Sequence, residues 1–422
     1  MERYQFEDLE ILFDCAGRDD WGKFSFPVSY GITAKVRWRG FELDFNLRGG
    51  WKRLAGKPSV WPDPQAVLKR TEGNELIYYG TDGYASSYDL IKNYYVPFNG
   101  RYDSEIFTEK PLEEEHVRRA LLAYDGLVAA AGKLAARVEG PRPRDFLQQL
   151  AASDRVMLAG EADRLHRIIG GHLPVLPPDT IDVDYEVIPL IITEGCSYQC
   201  RFCRFKTAGG FHVRDRESIA LQIKALKDFY GADLVNYNSL VLGQNNALAA
   251  GEDILTGTAS RAYEALNLGA SYHRGRPNLF IFGSVDAFLE AGNSLFDRLE
   301  NLPYATAINV GLESPDQDTL DSLGKPLRAE RVRQAFRKMR AVNGQYSQIT
   351  VSCNFVIGTD LPARHVEAIK TLLSEKQAAP GKGRVYLSPL LGASQRRQIL
   401  KEFREIKINS PLPVFIYLAQ RL

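Results

Sequence analysis

The sequence has almost no net charge and few cysteines, and each shortage excludes a class of protein. Lys and Arg number 53 against 52 Asp and Glu, which gives a net charge of +1 over 422 residues. This balance provides no broad positive field that would favour nucleic acid or an anionic membrane as a partner. Only five cysteines are present, so a disulfide framework like that of small secreted domains is excluded.

The sequence also lacks an apolar run long enough to cross a membrane. Its most apolar segment, residues 120–136, is interrupted by Asp125 and Lys133, which would have to be buried in hydrocarbon. The first fifteen residues carry acids where a secretory signal has basic residues. We therefore expect no export signal, no membrane span and a cytoplasmic location.

The composition, 45% apolar and 25% charged residues, is typical of globular domains. At about 150 residues per domain, a chain of 422 residues is expected to form two or three domains. A proline cluster at residues 173–179 suits a linker. We predict an N-terminal α+β domain over residues 1–180, a second domain over 181–392, and a C-terminal segment, 393–422, packed on the second domain. Residues 411–418 would either add a strand or plug the lower end of that domain.

Alternating apolar residues between about Phe24 and Leu47 predict a β-hairpin with Gly40 as its turn. Helical periodicity follows near residues 113–139, 143–152 and 157–169. The first domain is therefore predicted to contain a small sheet followed by helices.

Strand and helix patterns alternate in the second domain. Strands are predicted at Val187–Thr193, 240–242, Leu279–Gly283, Ala305–Leu312, Thr350–Ile357 and Val385–Leu391, and helices at Arg216–Tyr230, Ala329–Val342 and Ala363–Glu375. Six strands joined by crossover helices predict a parallel α/β sheet. A span of about 200 residues favours a partial (βα)6 barrel over a full eightfold one, with the active site at the carboxyl ends of the strands.

Three of the five cysteines, Cys196, Cys200 and Cys203, are spaced C-x3-C-x2-C directly after the first strand of this domain. The short spacing lets three thiolates reach one metal centre, and a closed zinc or simple iron–sulfur site needs four. Cys15 lies in the other domain and Cys353 lies inside a predicted strand, so neither supplies a fourth ligand. We predict a metal centre with an open coordination position.

This cysteine loop, with the aromatic Phe202 before its third cysteine, resembles that of the radical S-adenosylmethionine (SAM) superfamily over about residues 185–391. The resemblance implies a radical-SAM-type partial barrel and a [4Fe–4S] cluster held by the three cysteines, with SAM chelating the fourth iron. It also implies that an electron from a donor such as flavodoxin or ferredoxin cleaves SAM to methionine and a 5′-deoxyadenosyl radical.

Further candidate SAM-binding residues stand at strand ends. Where the superfamily has a Gly-Gly-Glu-Pro-like turn this chain reads Gly243-Gln244-Asn245, and residues 311–314 and 354–360 are similar to its Gly-x-Glu-Ser and adenine-flanking segments. Ser284, after the third strand, suits either a cofactor contact or a helix N-cap. The predicted cofactor-binding residues are Phe202, Gly243, Gln244, Asn245, Ser284, Glu313, Val356 and Ile357.

Strand alternation separates a polar face from an apolar one in the last three strands. We expect the polar face to line the interior of the barrel and to carry the catalytic or substrate-contacting residues, which are Asn309, Ser352, Asn354, Tyr386 and Ser388. The same alternation sends Cys353 to the apolar face, and we interpret it as a packing residue.

The leading hypothesis is a radical SAM enzyme that abstracts hydrogen from a small or medium organic substrate. An RNA-modifying radical SAM enzyme is an alternative, because basic residues such as Lys35, Arg37 and Lys52 are interleaved with aromatics near the hairpin, a pattern able to hold single-stranded nucleic acid. Such residues on a hairpin more commonly pack one face on a core and expose the other face to solvent. Nucleic acid is therefore not the favoured partner. A non-catalytic zinc protein is the third hypothesis.

Overall fold

A computed structural model describes residues 1–16, 31–61, 67–79, 94–95, 98–99, 113–172, 176–183, 185–198, 200–203, 210–358, 360–375, 382–390 and 396–417. Within these ranges an antiparallel sheet and three helices are followed by a parallel sheet with its crossover helices. This arrangement confirms the prediction of an α/β domain after an N-terminal α+β part. No helix of the described ranges is long and apolar enough to cross a membrane.

The first part contains nine strands and three helices among the described residues. They are β1 (Glu2–Phe6), β2 (Leu9–Ala16), β3 (Ile32–Trp38), β4 (Phe41–Phe45), β5 (Trp51–Gly56), β6 (Val67–Arg70), β7 (Leu76–Tyr79), β8 (Tyr94–Tyr95), β9 (Phe98–Asn99), α1 (Glu115–Ala135), α2 (Pro141–Ala152) and α3 (Arg155–Ile169). All the strands except β8 form one antiparallel sheet, in the order β1-β2-β3-β4-β5-β6-β7-β9.

The predicted hairpin is the pair β3 and β4. Trp38 pairs with Phe41, so the loop consists of Arg39 and Gly40, at φ values of 49° and 86°. Two-residue loops with positive φ at both positions match the twist of antiparallel strands, and glycine takes such a φ without strain. The hairpin packs its apolar side, including Val36, against helix α1.

The second part follows the predicted alternation. Its elements are β10 (Ile188–Leu190), β11 (Thr193–Glu194), β12 (His212–Val213), α4 (Arg216–Tyr230), β13 (Ser239–Leu242), α5 (Glu252–Ala265), β14 (Asn278–Gly283), α6 (Val285–Glu290), α7 (Asn293–Glu300), β15 (Ala305–Glu313), α8 (Gln317–Leu323), α9 (Ala329–Gln345), β16 (Ile349–Ile357), α10 (His365–Ser374), β17 (Val385–Pro389), α11 (Arg396–Ile408) and β18 (Val414–Tyr417). β11 and β12 form a small antiparallel ribbon.

The main sheet has the order β10-β13-β14-β15-β16-β17-β18-β8, and its pairs are parallel. It therefore has one parallel strand more than the six we predicted, because residues 414–417 add a strand rather than plug the domain. A further short strand, β8, comes from the first part of the chain. The described pairing leaves this sheet open between β8 and β10.

A cluster of buried charges joins the two parts, and we call it the interface cluster. Its members are Arg48, Lys52, Lys69 and Glu72 from the first part and Glu186, Asp233 and Tyr237 from the second part. Burial lowers the pKa of Lys69 to about 7 and, with the nearby Glu72, raises that of Asp233 to about 6. Ala55 and Val67 also belong to the apolar core of the second part, so the two sheets are packed together.

Candidate functional site

The cysteine loop connects β11 to β12 at the carboxyl edge of the parallel sheet. Cys200 is buried, Cys196 and Cys203 are half-buried, and the Cys203 amide donates to the Cys200 carbonyl at 3.3 Å. Across the described residues, no group of three or more His, Cys, Asp or Glu side chains is placed to hold a metal ion. The assignment of these cysteines as ligands therefore stays a prediction.

One anchor fixes this loop to the end of strand β14. The Tyr198 hydroxyl donates to a carboxylate oxygen of Asp286 at 2.5 Å, and Arg331 donates to the other oxygen at 2.8 Å. Asp286 lies in the first turn of α6, directly after β14. The loop is thereby tied to a neighbouring strand end, a contact that no sequence motif indicated.

A second anchor fixes the loop to the end of helix α8. The Arg201 amide donates to the Leu323 carbonyl at 2.8 Å and its guanidinium to the Asp321 carbonyl at 2.6 Å. Gly324 adopts φ +63°, and a Cβ there would lie 2.9 Å from the Arg201 side chain. Both features favour a glycine at this position.

Glu313 and Lys325 set the charge around Cys200. Lys325 Nζ donates to Glu313 Oε1 at 2.9 Å and to the Gly311 carbonyl at 2.8 Å, and it lies 5.3 Å from the centre of the Tyr198 ring. Burial raises the pKa of Cys200 to about 11; Lys325 opposes this rise, while Glu313 adds to it. A thiol with this pKa stays protonated near neutral pH until a bound cation displaces its proton.

The turn after β13 carries Gly243 and Gln244. Gly243 has φ +74°, and a Cβ on it would lie 2.6 Å from the Ala247 Cβ and 2.8 Å from Thr193 Oγ1, so local packing already demands this glycine. Within the described part of the chain, Gln244 Oε1 and Thr193 Oγ1 are buried without a hydrogen-bond partner. Unsatisfied buried acceptors are costly, and these two fit a ligand that donates hydrogen bonds.

Ser284 has the capping role that was one of its two sequence interpretations. Its hydroxyl accepts from the Ala287 amide at 3.2 Å at the start of α6, and its own amide donates to Asn246 Oδ1 at 2.8 Å. Asn246, the residue after the predicted cofactor-binding residue Asn245, therefore links the turn after β13 to the end of β14. Asn245 is half-buried.

Four buried polar side chains meet on the polar face of the sheet. Asp179 accepts from Ser352 Oγ at 2.6 Å, from Tyr386 OH at 3.2 Å and from Asn309 Nδ2 at 3.3 Å. Asp179 lies in a 3₁₀ turn, Pro178–Asp182, within the predicted linker. The structure thus unites three predicted substrate residues around a carboxylate that sequence reasoning missed, because only the tertiary fold brings it there.

Asn354 extends this network toward the carboxyl edge. It exchanges two hydrogen bonds with Asn309, at 2.7 and 3.3 Å, and it is half-buried, whereas Asn309, Ser352 and Tyr386 have no exposed surface. Ser388, next along the face, is also half-buried. Among the predicted substrate residues, only these two retain surface for a ligand.

The remaining predicted residues differ in exposure. Phe202 is half-buried in the cysteine loop. Val356 and Ile357 are buried, at 1% and 0% exposure, at the carboxyl end of β16. Cys353 is fully buried in the apolar core, as its interpretation as a packing residue requires, and burial raises the pKa of its thiol.

We expect Tyr198→Phe to loosen the cysteine loop. The change removes the hydroxyl that donates to Asp286 and keeps the ring, and a hydrogen bond to a charged group contributes roughly 1.5–3 kcal/mol when buried. Because Asp286 is partly exposed, we expect urea unfolding of the metal-free protein to show a loss of about 1–2 kcal/mol. Tyr263→Phe is the control, since Tyr263 packs its ring on Tyr304. Equal losses in both variants would mean that the Tyr198 hydroxyl has no anchoring role.

Comparison with known proteins relates the second part of the chain to one protein family. Residues 190–373 match the model of the Radical SAM superfamily, a range that runs from the last residue of β10 through β16 and includes the cysteine loop. This match confirms the resemblance stated from the cysteine spacing. The match also supports, for this part of the chain, the enzyme class of that superfamily, whose members use SAM radical chemistry with a [4Fe–4S] cluster and SAM as cofactors. No curated protein matches the chain.

Several solved structures are similar at low identity. A radical SAM methyltransferase from Sphaerobacter thermophilus is 16% identical, with a TM-score of 0.38 over 56% of this chain and 66% of that one. The cobalamin-dependent SAM radical enzyme OxsB is 15% identical, with a TM-score of 0.34 over 56% and 32%. Methylornithine synthase (PylB) is 12% identical, with a TM-score of 0.33 over 69% and 85%. The chain thus spans less than two thirds of the length of the first two structures.

Proposed function

We propose, from the premise that residues 190–373 are a radical SAM domain, that this protein reductively cleaves SAM and abstracts hydrogen from a small or medium organic substrate. The observation that carries the proposal is the cysteine loop. Its three thiols stand at the carboxyl edge of the parallel sheet, where ligands bind in open α/β folds. The loop is anchored there by Tyr198 and Arg201.

Cys196, Cys200 and Cys203 would hold a [4Fe–4S] cluster through three of its irons. When bound, and given one electron, the cluster supplies the reductive cleavage of SAM to methionine and a 5′-deoxyadenosyl radical. The three cysteines are chemically suited to such a cluster, because thiolates are the usual ligands of iron–sulfur clusters. We propose a low-potential electron donor such as flavodoxin or ferredoxin as partner.

The residues around the loop suit SAM. Gln244 Oε1 and Thr193 Oγ1, which lack partners in the described structure, would accept hydrogen bonds from its amino group. The Glu313 carboxylate, which accepts a hydrogen bond from Lys325 through Oε1, would also accept from ribose hydroxyls. We propose adenine contacts for Val356 and Ile357 and secondary contacts for the partly exposed Phe202, Asn245 and Ser284.

The polar face beneath this site would bind the substrate. We propose that the parallel sheet curves into a partial barrel around it and that Asn354 and Ser388 contact the substrate. Asn354 already exchanges two hydrogen bonds with Asn309, and an amide offers two donors and two acceptor lone pairs. One donor and one lone pair therefore stay available for a ligand. Asn309, Ser352, Tyr386 and Asp179 would hold Asn354 in place.

Substrate-independent SAM cleavage tests this proposal. Anaerobically reconstituted protein, reduced with dithionite and given SAM, is expected to form 5′-deoxyadenosine and methionine, which chromatography with mass detection measures. The same protein without dithionite is the control and should form neither product. Fully reduced, cluster-loaded protein that leaves SAM intact would contradict the proposal.

The RNA-modifying alternative loses its main support in the structure of the hairpin. Lys35, Arg37 and Arg53 all form ion pairs with Glu42, at 2.7, 2.8 and 3.4 Å. The buried Lys52 belongs to the interface cluster. These cations therefore pair with a carboxylate of the same sheet or are turned away from solvent, which reduces the positive charge available to phosphates.

A further inference from the structure

The end of strand β15 has an unusual backbone conformation. Glu313 adopts φ +61°, in the left-handed region that residues with a side chain rarely occupy. The next amide, of Ser314, donates to the Leu312 carbonyl at 2.8 Å, which closes a three-residue turn centred on Glu313. Turns of this kind with positive φ are rare and strained, so neighbouring groups must hold this one in place.

A buried histidine, His365, stabilises this turn through a hydrogen bond to Ser314. The hydroxyl of Ser314 and Nδ1 of His365 are 2.9 Å apart, and Nε2 of His365 lies 2.7 Å from the Val356 carbonyl. A carbonyl only accepts, so Nε2 carries the hydrogen, Nδ1 accepts, and the Ser314 hydroxyl donates. Ser314 and His365 are 0% and 1% exposed, and burial lowers the pKa of His365, which favours this neutral form.

Lys325 also stabilises this turn. Its ammonium donates to the Gly311 carbonyl and to the Glu313 carboxylate, so it spans the irregular pairing between Gly311 and Glu313. Lys325 belongs to the site itself, because it lies beside the Tyr198 ring of the cysteine loop. The side chain of His365 instead forms its hydrogen bonds with the Ser314 hydroxyl and the Val356 carbonyl.

One side chain thus joins the ends of two adjacent strands. Ser314 follows β15, Val356 stands near the end of β16, and His365 opens helix α10. We propose that His365 is a positioning residue for SAM binding, which it supports by holding the strained turn at Glu313 and the carboxyl end of β16 in one arrangement. This inference rests on the proposed function, in which Glu313 and Val356 contact SAM.

The test compares SAM affinity in reconstituted wild-type protein, His365→Phe and Ser314→Ala, measured by calorimetry. We expect each variant to bind SAM at least about tenfold more weakly, since tenfold in Kd corresponds to about 1.4 kcal/mol, the scale of one hydrogen bond. The double variant should be little weaker than either single variant, because both changes break one linked unit. Ser314→Ala keeps the test available if His365→Phe does not fold.

Asn343→Ala is the matched structural control. Asn343 is buried and bonds to the amide and carbonyl of Val351 at 2.7 and 2.8 Å, earlier on β16 and away from the turn. It should lower stability while leaving SAM affinity unchanged. Equal weakening of SAM binding in Asn343→Ala and His365→Phe would overturn the proposal, because the effect would then be general loosening.

A second readout needs neither cluster nor SAM. Nitrogen-15 NMR of histidine-labelled, cluster-free protein should show His365 as the neutral ring protonated at Nε2, and Ser314→Ala should shift its Nδ1 resonance. A ring protonated at Nδ1, or unchanged SAM affinity in both variants, would overturn the inference while leaving the proposed function intact. Wild-type protein that binds no SAM would overturn both.

Discussion

Changing Cys196, Cys200 or Cys203 to Ala is expected to abolish the paramagnetic signal of the reduced, reconstituted protein. The three thiols stand on one loop that Tyr198 and Arg201 anchor. Three thiolates are the whole protein contribution to the proposed cluster, so each loss should remove the bound iron as well as the signal. Electron paramagnetic resonance after dithionite reduction, with iron analysis, measures both.

Adding SAM to the wild-type protein should shift that signal if, as we propose, SAM binds at the open coordination position of the cluster. Cys15→Ala is the matched control, since Cys15 lies on strand β2 in the first part of the chain and should leave signal and iron unchanged. A protein that holds stoichiometric zinc and gives no signal would contradict the cluster assignment and support the non-catalytic alternative. Loss of iron in Cys15→Ala would mean that the ligand set is different.

Glu72→Ala is expected to produce the largest loss of stability. Glu72 Oε1 accepts from Lys52 at 2.8 Å and from the Tyr237 hydroxyl at 2.9 Å, and Arg48 pairs with the other oxygen. All lie in the interface cluster, where the Glu72 side chain is 2% exposed. Removing one partner of a buried ion pair leaves the other charge buried without a partner, which lowers the free energy of unfolding by about 3–5 kcal/mol. Urea unfolding of metal-free protein measures this loss.

The effect of Glu72→Ala should depend on pH. Burial alone would raise the pKa of Glu72, but Arg48 and Lys52 outweigh burial and hold the pKa well below its ordinary value of 4.5. The native state therefore binds fewer protons than the unfolded state as the pH falls below 4.5, so the wild-type protein loses this stabilisation in acid. The difference in the free energy of unfolding between the wild-type protein and Glu72→Ala should therefore become smaller below pH 4.5.

Glu115→Ala is the control for this experiment. Glu115 pairs with Arg119 on the surface of α1, where both side chains are more than half exposed, and exposed pairs of this kind contribute little. Its unfolding should match that of the wild-type protein at every pH. A Glu72→Ala variant as stable as Glu115→Ala would show that the interface cluster does not hold the two parts together.

Periodicity was sufficient for most elements of the second part. Helix α4 begins and ends at the predicted residues, Arg216 and Tyr230, because Asp215 caps its first turn and Gly231 stops it. Strands β15 and β16 differ from prediction by one residue at one end. These elements are long and bounded by residues with strong local preferences, so their limits depend little on the rest of the fold.

The contacts that shape the site could not be predicted in this way. Asp179 comes from a proline-rich segment and meets Ser352 only because the chain folds back against the sheet. Lys325 reaches Glu313 across helix α8. Neither pair leaves a periodic or motif signal, since each depends on where two separate elements lie in space. The cysteines were recognisable because all three ligands stand within one short loop.

Strand β8 ties the assembly of the parallel sheet to the order of synthesis. Tyr94 and Tyr95 leave the ribosome long before Ile416 and Tyr417, the residues with which they pair. Pairing between such distant segments slows folding, and this edge of the sheet can form only after residue 417 has left the ribosome. A fragment that starts at residue 181 would leave β18 without its neighbour, and an uncovered edge strand invites aggregation. Expression of the second part alone is therefore expected to yield an aggregating protein.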